Sequence, residues 1–306
     1  MLSTRVAHRQ GIPFLTIWGQ IDPLCGGELK RDRRHLVDSM EQSALHARNA
    51  RTASGPDPAG KVGIITGAAQ GIGRTFARAF AESGSRVVVA DRDTDGAEST
   101  AAELRKDGHD AMAVTVDVAD EQSVDTLLRL TLETYGRVDT LVNNAAIFST
   151  IVMKPFDEIS PAEWRQVVDV NLTGVFLCCR TVGAHLRTQR SGSIINVSSA
   201  AVLQGRPNYL HYVASKAGVV GLTRSLAREL GAADVTVNAL MPGSVDTGIP
   251  RDSVKPGQAE QIIAGQALHR RLQSADIAGT AVFLASDAAR TITGQSIVID
   301  GGMNFL

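Results

Sequence analysis

From Lys61 to the C-terminus, short apolar runs rich in β-branched residues alternate with longer stretches whose apolar positions recur at helical spacing. The short runs are 62–66, 86–91, 111–117, 140–143, 193–198, 235–240 and 296–299. Their continuous apolar character suits strands buried on both faces. The longer stretches, 72–82, 96–106, 121–135, 163–186 and 211–230, predict helices. This alternation predicts an α/β fold: a doubly wound parallel sheet of Rossmann type, about seven strands, with helices on both faces. Ligands of such sheets sit at the carboxyl ends of the strands.

Residues 1–60 lack this alternation and end in a Pro/Gly-rich, linker-like stretch from Arg51 to Gly60. They are read as a disordered N-terminal extension, with 61–306 as a single domain. Pro250, Pro256, Gly257 and Gly265 punctuate 248–268, which is expected to act as a substrate lid.

Composition narrows the function. The chain has 306 residues, is 43% hydrophobic and carries a formal net charge of -1, so no basic surplus exists to neutralise a nucleic acid. No apolar run approaches the roughly 20 residues of a membrane span. Cys178 and Cys179 are adjacent and Cys25 is distant, which implies no disulfide framework and suits a cytoplasmic protein. No two histidines are three or four residues apart, so no helical metal site is expected.

The candidate chemistry starts where the first strand meets the first helix. Gly67 permits a tight turn, Gly71-Ile72 lets backbone approach a pyrophosphate, and Gly73 lets helix and strand pack closely. A helix N-terminus there offers free N–H groups to phosphate. Asp91 ends the second strand, eighteen residues after Gly73, where a carboxylate can accept ribose hydroxyls and repel a 2′-phosphate. That favours NAD, with NADP the alternative because Arg92 is adjacent. Of three tyrosines, only Tyr212 has a lysine, Lys216, four residues on. On a helix the two share a face, and a cation beside a phenol makes it a usable proton donor and acceptor.

Together these features resemble the short-chain dehydrogenase/reductase family, over about Lys61 to the C-terminus. Further motifs match it in order. Asp117 and Val118 close the third strand, where the family contacts adenine. Asn143-Asn144-Ala145-Ala146 resembles the segment behind the cofactor, with Ala146 in place of the usual glycine. Pro242, Gly243, Val245 and Thr247 lie in a turn like the one beneath the nicotinamide. The resemblance implies a catalytic set of Asn171, Ser199, Tyr212 and Lys216, with Tyr212 and Lys216 also touching cofactor. Ser198 is a rival to Ser199, whose position thirteen residues before Tyr212 matches the family. The implied reaction moves a hydride between NAD(H) and a secondary alcohol or ketone. NADPH-dependent 3-oxoacyl-carrier-protein reduction and a non-catalytic dinucleotide sensor are the alternatives. The implied partners are a small alcohol or carbonyl substrate and further copies of the chain, as a dimer or tetramer packed through 163–186 and 211–230. Phe148, 200–209 and the lid are expected to line the substrate pocket.

Overall fold

A computed structural model describes residues 60–249 and 257–305. The readings made for 1–59, and for the 250–256 part of the expected lid at 248–268, lie outside the described residues. The chain enters β1 (Val62–Thr66), whose five residues are all buried. It continues through α1 (Gly71–Glu82), β2 (Arg86–Asp91), α2 (Thr94–Lys106), β3 (Ala111–Thr115), α3 (Glu121–Tyr135) and β4 (Thr140–Asn143). Then come α4 (Pro161–Val168), a π-helical turn (Asp169–Thr173), α5 (Gly174–Gln189), β5 (Gly192–Val197), short α6 (Ala201–Gln204) and α7 (Leu210–Leu230). The last elements are β6 (Val235–Pro242), β7 (Val245–Asp246), α8 (Gln258–Gly265), β8 (Leu272–Gln273), α9 (Ser274–Ala285) and β9 (Ser296–Ile299).

The main sheet has seven parallel strands in the order β3-β2-β1-β4-β5-β6-β9, and β7 pairs with β8 separately. Successive residues of a strand point to opposite faces, so each strand feeds two cores. Ile64, Val88, Leu141, Ile194 and Val237 pack on one side with Leu127 of α3, Val182 and Leu186 of α5 and Val219 of α7. Ile65, Val87, Val89, Val142 and Ile195 pack on the other with Phe76 and Phe80 of α1, Leu104 of α2 and Ile277 and Leu284 of α9. Both faces are covered, as the unbroken apolar runs require. Truncating a fully buried side chain such as Phe80 to alanine is expected to cost about 3–5 kcal/mol.

Several boundaries differ from the sequence reading: the fifth strand is Gly192–Val197 rather than 193–198, the sixth runs on to Pro242, two helices start one residue early, and three further differences have a local cause. The third strand stops at Thr115 because the Asp117 N–H turns to Ser123 Oγ (3.0 Å) at the start of α3. Helix α2 starts two residues early because the Asp93 carboxylate caps the Gly96 N–H (3.1 Å). The predicted helix 163–186 is broken by the π turn and extends from Pro161 to Gln189. Against the expectation that no run approaches a membrane span, this one is long and apolar enough to cross a membrane by length and composition, yet Val175, Cys178, Val182 and Leu186 are buried in the core. Helix α9 was not anticipated. Its sequence SADIAGTAVFLA is apolar nearly all round, so it shows no helical period.

Candidate active site

At the carboxyl ends of the strands lies a cavity of about 710 Å³. Its lining follows the strand order: Asp117 and Val118 after β3, Asp91 of β2, the β1–α1 loop, the chain leaving β4, Ser199 after β5 and the turn after β6. The order reverses between β1 and β4, where doubly wound sheets bind their ligands.

The loop after β1 is pressed onto the chain leaving β4. A Cβ on Gly67 (φ +66°) would lie 2.7 Å from the Ala145 Cα, and one on Gly73 only 2.0 Å from the Gly67 carbonyl oxygen. Thr66, which the sequence reading passed over, ties the two segments together. Its buried hydroxyl accepts the N–H groups of Asn144 (3.0 Å) and Ala145 (3.1 Å) and donates to the Val142 carbonyl (3.3 Å). Asn144 Nδ2 donates back to the carbonyls of Thr66 and Gly67, both at 3.0 Å. Gly71, Ile72 and Gly73 line the cavity, and no side chain caps the start of α1. The N–H groups of that first turn are therefore available to a ligand oxygen.

Asp91 is half-buried at the end of β2. Its carboxylate accepts the Ala69 N–H (2.9 Å) and the Asp93 N–H (3.0 Å), which leaves lone pairs on both oxygens. Asp117 is exposed and accepts the Ala119 N–H (2.9 Å). Val118 is buried where a Cβ on Gly174 would meet it at 2.8 Å. Pro242, Gly243, Val245 and Thr247 all line the cavity, and the Pro242 carbonyl accepts the Ala200 N–H (2.9 Å).

Two expected site residues do not reach the cavity surface. Asn143 points into the core, where its Nδ2 donates to Asn196 Oδ1 (2.8 Å) and Cys179 Sγ (3.2 Å). Strand alternation puts it opposite to the cleft-facing residues. Asn171 is fully buried in the π turn and grips both backbone groups of Ile147: Oδ1 accepts the N–H (2.7 Å) and Nδ2 donates to the C=O (3.1 Å). Its Nδ2 also reaches Ser215 Oγ (3.3 Å), which donates to the Tyr212 carbonyl (2.7 Å). Asn171 thereby holds Ile147 against the helix that carries Tyr212.

Ser199, Tyr212 and Lys216 line the same cavity. Ser198 also lines it, but its hydroxyl is committed to the Lys216 carbonyl (2.8 Å). Ser199 Oγ accepts the Ala201 N–H (3.2 Å), so its own O–H remains to be donated. The Tyr212 ring is packed by Phe148 (centroids 4.8 Å apart) and Tyr209 (6.3 Å). Lys216 Nζ lies 6.0 Å from the Tyr212 ring centroid and donates to the Val197 carbonyl at 2.7 Å. Burial pushes the Lys216 amine down to about 8. Among the described residues, no group of three or more His, Cys, Asp or Glu side chains could hold a metal ion.

Burial of Lys216 has a measurable consequence. The unfolded chain holds this proton up to about pH 10.5 and the folded chain only to about 8, so the penalty is complete below pH 8 and lifts as the pH rises toward 10.5. The unfolding free energy of cofactor-free native protein, relative to Lys216→Met, is expected to rise by about 3 kcal/mol across that window. Urea titrations of both proteins at pH 7 to 10.5 check this. A constant difference would mean that the amine is not desolvated.

The fold and the cleft define a dinucleotide-type oxidoreductase. A family model described as enoyl-(acyl carrier protein) reductase matches residues 67–304. The 3-oxoacyl-[acyl-carrier-protein] reductase of Synechocystis sp. (strain ATCC 27184 / PCC 6803 / Kazusa) is 42% identical over 246 residues, 79% of this chain and 96% of that protein. The cis-4-hydroxycyclohexanecarboxylate dehydrogenase of Sinomonas cyclohexanicum is 41% identical over the same shares of both chains. A crystal structure of 3-ketoacyl-(acyl-carrier-protein) reductase from Brucella melitensis, complexed with NADH, superposes with a TM-score of 0.75 at 35% identity, covering 81% of this chain and all of that one. The chain belongs to the short-chain dehydrogenase/reductase family, and it is an oxidoreductase acting on hydroxyl or keto groups.

Proposed function

We propose that this protein moves a hydride between NAD(H) and a secondary alcohol or its ketone. The observation that carries this reading is one cavity holding a side-chain-free phosphate cradle and the Ser199–Tyr212–Lys216 wall. Both parts fit a dinucleotide, with Gly67, Gly71 and Gly73 on the pyrophosphate and Asp91 on the adenosine ribose. Val245 and Thr247 would bound the nicotinamide, which supplies or accepts the hydride. Ser199 donates its O–H to the substrate oxygen. Tyr212 gives that oxygen a proton in reduction and takes one in oxidation. Lys216 spends one of its three N–H bonds on Val197, leaving two for ribose hydroxyls, and its charge favours the phenolate. Asn171 acts at one remove, as a positioning residue for Ile147 and Ser215. A cytoplasmic location and a dimer or tetramer belong to the same proposal, and Trp164 and Phe176 are exposed on the helices expected to pack.

The cofactor test is direct. A 2′-phosphate would sit against the Asp91 carboxylate, so kcat/KM with NAD(H) is expected to exceed that with NADP(H) by roughly tenfold or more. Asp91→Ala should narrow the ratio. An NADP(H) preference in the native protein would overturn the assignment and point to Arg92. A screen of alcohols and ketones with nicotinamide absorbance as readout tests the reaction itself. Reduction of 3-oxoacyl thioesters is the second reading, favoured by the Synechocystis relative. Two relatives of nearly equal identity bear names with different substrates, so similarity at this level speaks for the reaction class rather than for the substrate.

A further inference from the structure

The cavity wall beyond Tyr212 carries a cation that the hydride-transfer reading does not use. Arg206, between α6 and α7, is half-buried and lines both the main cavity and an adjoining recess of about 180 Å³. Its guanidinium lies 4.8 Å over the Tyr209 ring, which leaves the N–H edge of the guanidinium for a ligand. Among the described residues no carboxylate pairs with it. The nearby charges are committed elsewhere. Asp246 pairs with Arg271 (3.1 Å), and the Asp300 carboxylate accepts N–H donors from Gly302, Met303 and Asn304. In the same recess the Gln266 side chain is buried, with an Oε1 that has no hydrogen-bond partner. Buried polar groups are normally satisfied, and a cation withdrawn from water normally has an anion. A bound anion would pair with the guanidinium, and would meet the Gln266 amide once that amide presents its NH2 group in place of the unpartnered oxygen.

We propose that the substrate carries a carboxylate on the same small molecule as its reacting hydroxyl or carbonyl, and that Arg206 binds it through paired N–H bonds. The Gln266 amide, turned about its last bond, adds a donor. The span is short: one ring contact of 4.8 Å from Arg206 to Tyr209 and one of 6.3 Å from Tyr209 to Tyr212. A small oxo acid bridges it. The phosphate of a carrier-bound substrate is separated from its thioester by a whole pantetheine arm and would lie outside. This inference rests on the hydride-transfer reading for its reacting end only.

Two measurements test it separately from that reading. The first is kcat/KM for a series of straight-chain oxo acids and their methyl esters, with NADH. In native protein the best acid is expected to exceed its ester by about 10- to 100-fold, the scale of a hydrogen-bonded charge pair. In Arg206→Leu the ratio should fall toward one, and Arg206→Lys should restore part of it. Esters equal to acids, or a ratio unmoved in Arg206→Leu, would overturn the proposal. The second needs no turnover: calorimetric binding of butanoate to octanoate, against the matching amides, to the NAD-complexed protein. Binding of carboxylate over amide that is lost in Arg206→Leu supports the site. No preference for carboxylate refutes it. Carboxylate binding without turnover of any acid, ester, ketone or thioester would sink the hydride-transfer reading and leave the anion site standing.

Discussion

Tyr212→Phe is expected to lower turnover about 100-fold or more while leaving NAD binding close to native. The ring is nearly all of what Tyr212 contributes to packing: it is 7% exposed, wedged between Phe148 and Tyr209. Phenylalanine keeps those contacts and removes only the hydroxyl, the proton carrier of the proposed reaction. Folding should therefore survive, and the loss should appear in kcat. Steady-state rates on the best substrate, with NADH fluorescence titration alongside, separate the two. Near-native kcat in the variant would mean that another group transfers the proton.

Gly73→Ala should be the most damaging small substitution in the cradle. The added Cβ would stand 2.0 Å from the Gly67 carbonyl oxygen and 2.5 Å from Asn144 Nδ2. Neither neighbour can retreat easily. Gly67 is itself seated against the Ala145 backbone, and Asn144 is bonded to Thr66 and Gly67. Relief requires α1 to lift from the sheet, which loosens Phe76 and Phe80. The expected cost is about 3 kcal/mol, at the upper end for overpacking, together with loss of most NAD affinity. Thermal melts and calorimetric NAD titrations report both. Gly279→Ala on α9 is the control, because nothing lies within 4 Å of its would-be Cβ. In a helix interior that change should stabilise by about 0.5–1 kcal/mol. If both variants melt like the native protein, the tight seat of α1 is not real.

Much of the architecture was legible in the linear chain. Sheet strands read as short apolar runs, so Val62–Thr66, Arg86–Asp91, Thr140–Asn143 and the half-buried edge strand Ser296–Ile299 were placed within their observed bounds. The seven parallel strands follow from their alternation with amphipathic helices. Helix α9 escaped because its exposed positions, Ala275, Gly279 and Phe283, are themselves apolar, so no polar face marks a period. Tyr212 could be picked out because Lys216 follows one helical turn on, and Ser199 because its position thirteen residues earlier matches the family that the motifs resemble. Arg206 offered no such signal: a lone arginine in a Pro-containing turn looks like any solvated charge.

What the sequence by itself determined is the set of local conformations: strand or helix from hydrophobic period, tight turns from glycine, and the helical offset that puts Tyr212 and Lys216 on one face. What only the tertiary structure decided is which side chains look into the cleft. Asn143 and Asn144 are neighbours, yet one is buried against Cys179 and Asn196 while the other holds the cradle. Ser198 and Ser199 both line the cavity, but the Ser198 hydroxyl is spent on the Lys216 carbonyl while the Ser199 O–H remains to be donated. The partners of Thr66, Asn171 and Arg206 come from segments far apart in the chain. Their positions depend on strand order and on the packing of α7 against the sheet, which no local pattern encodes.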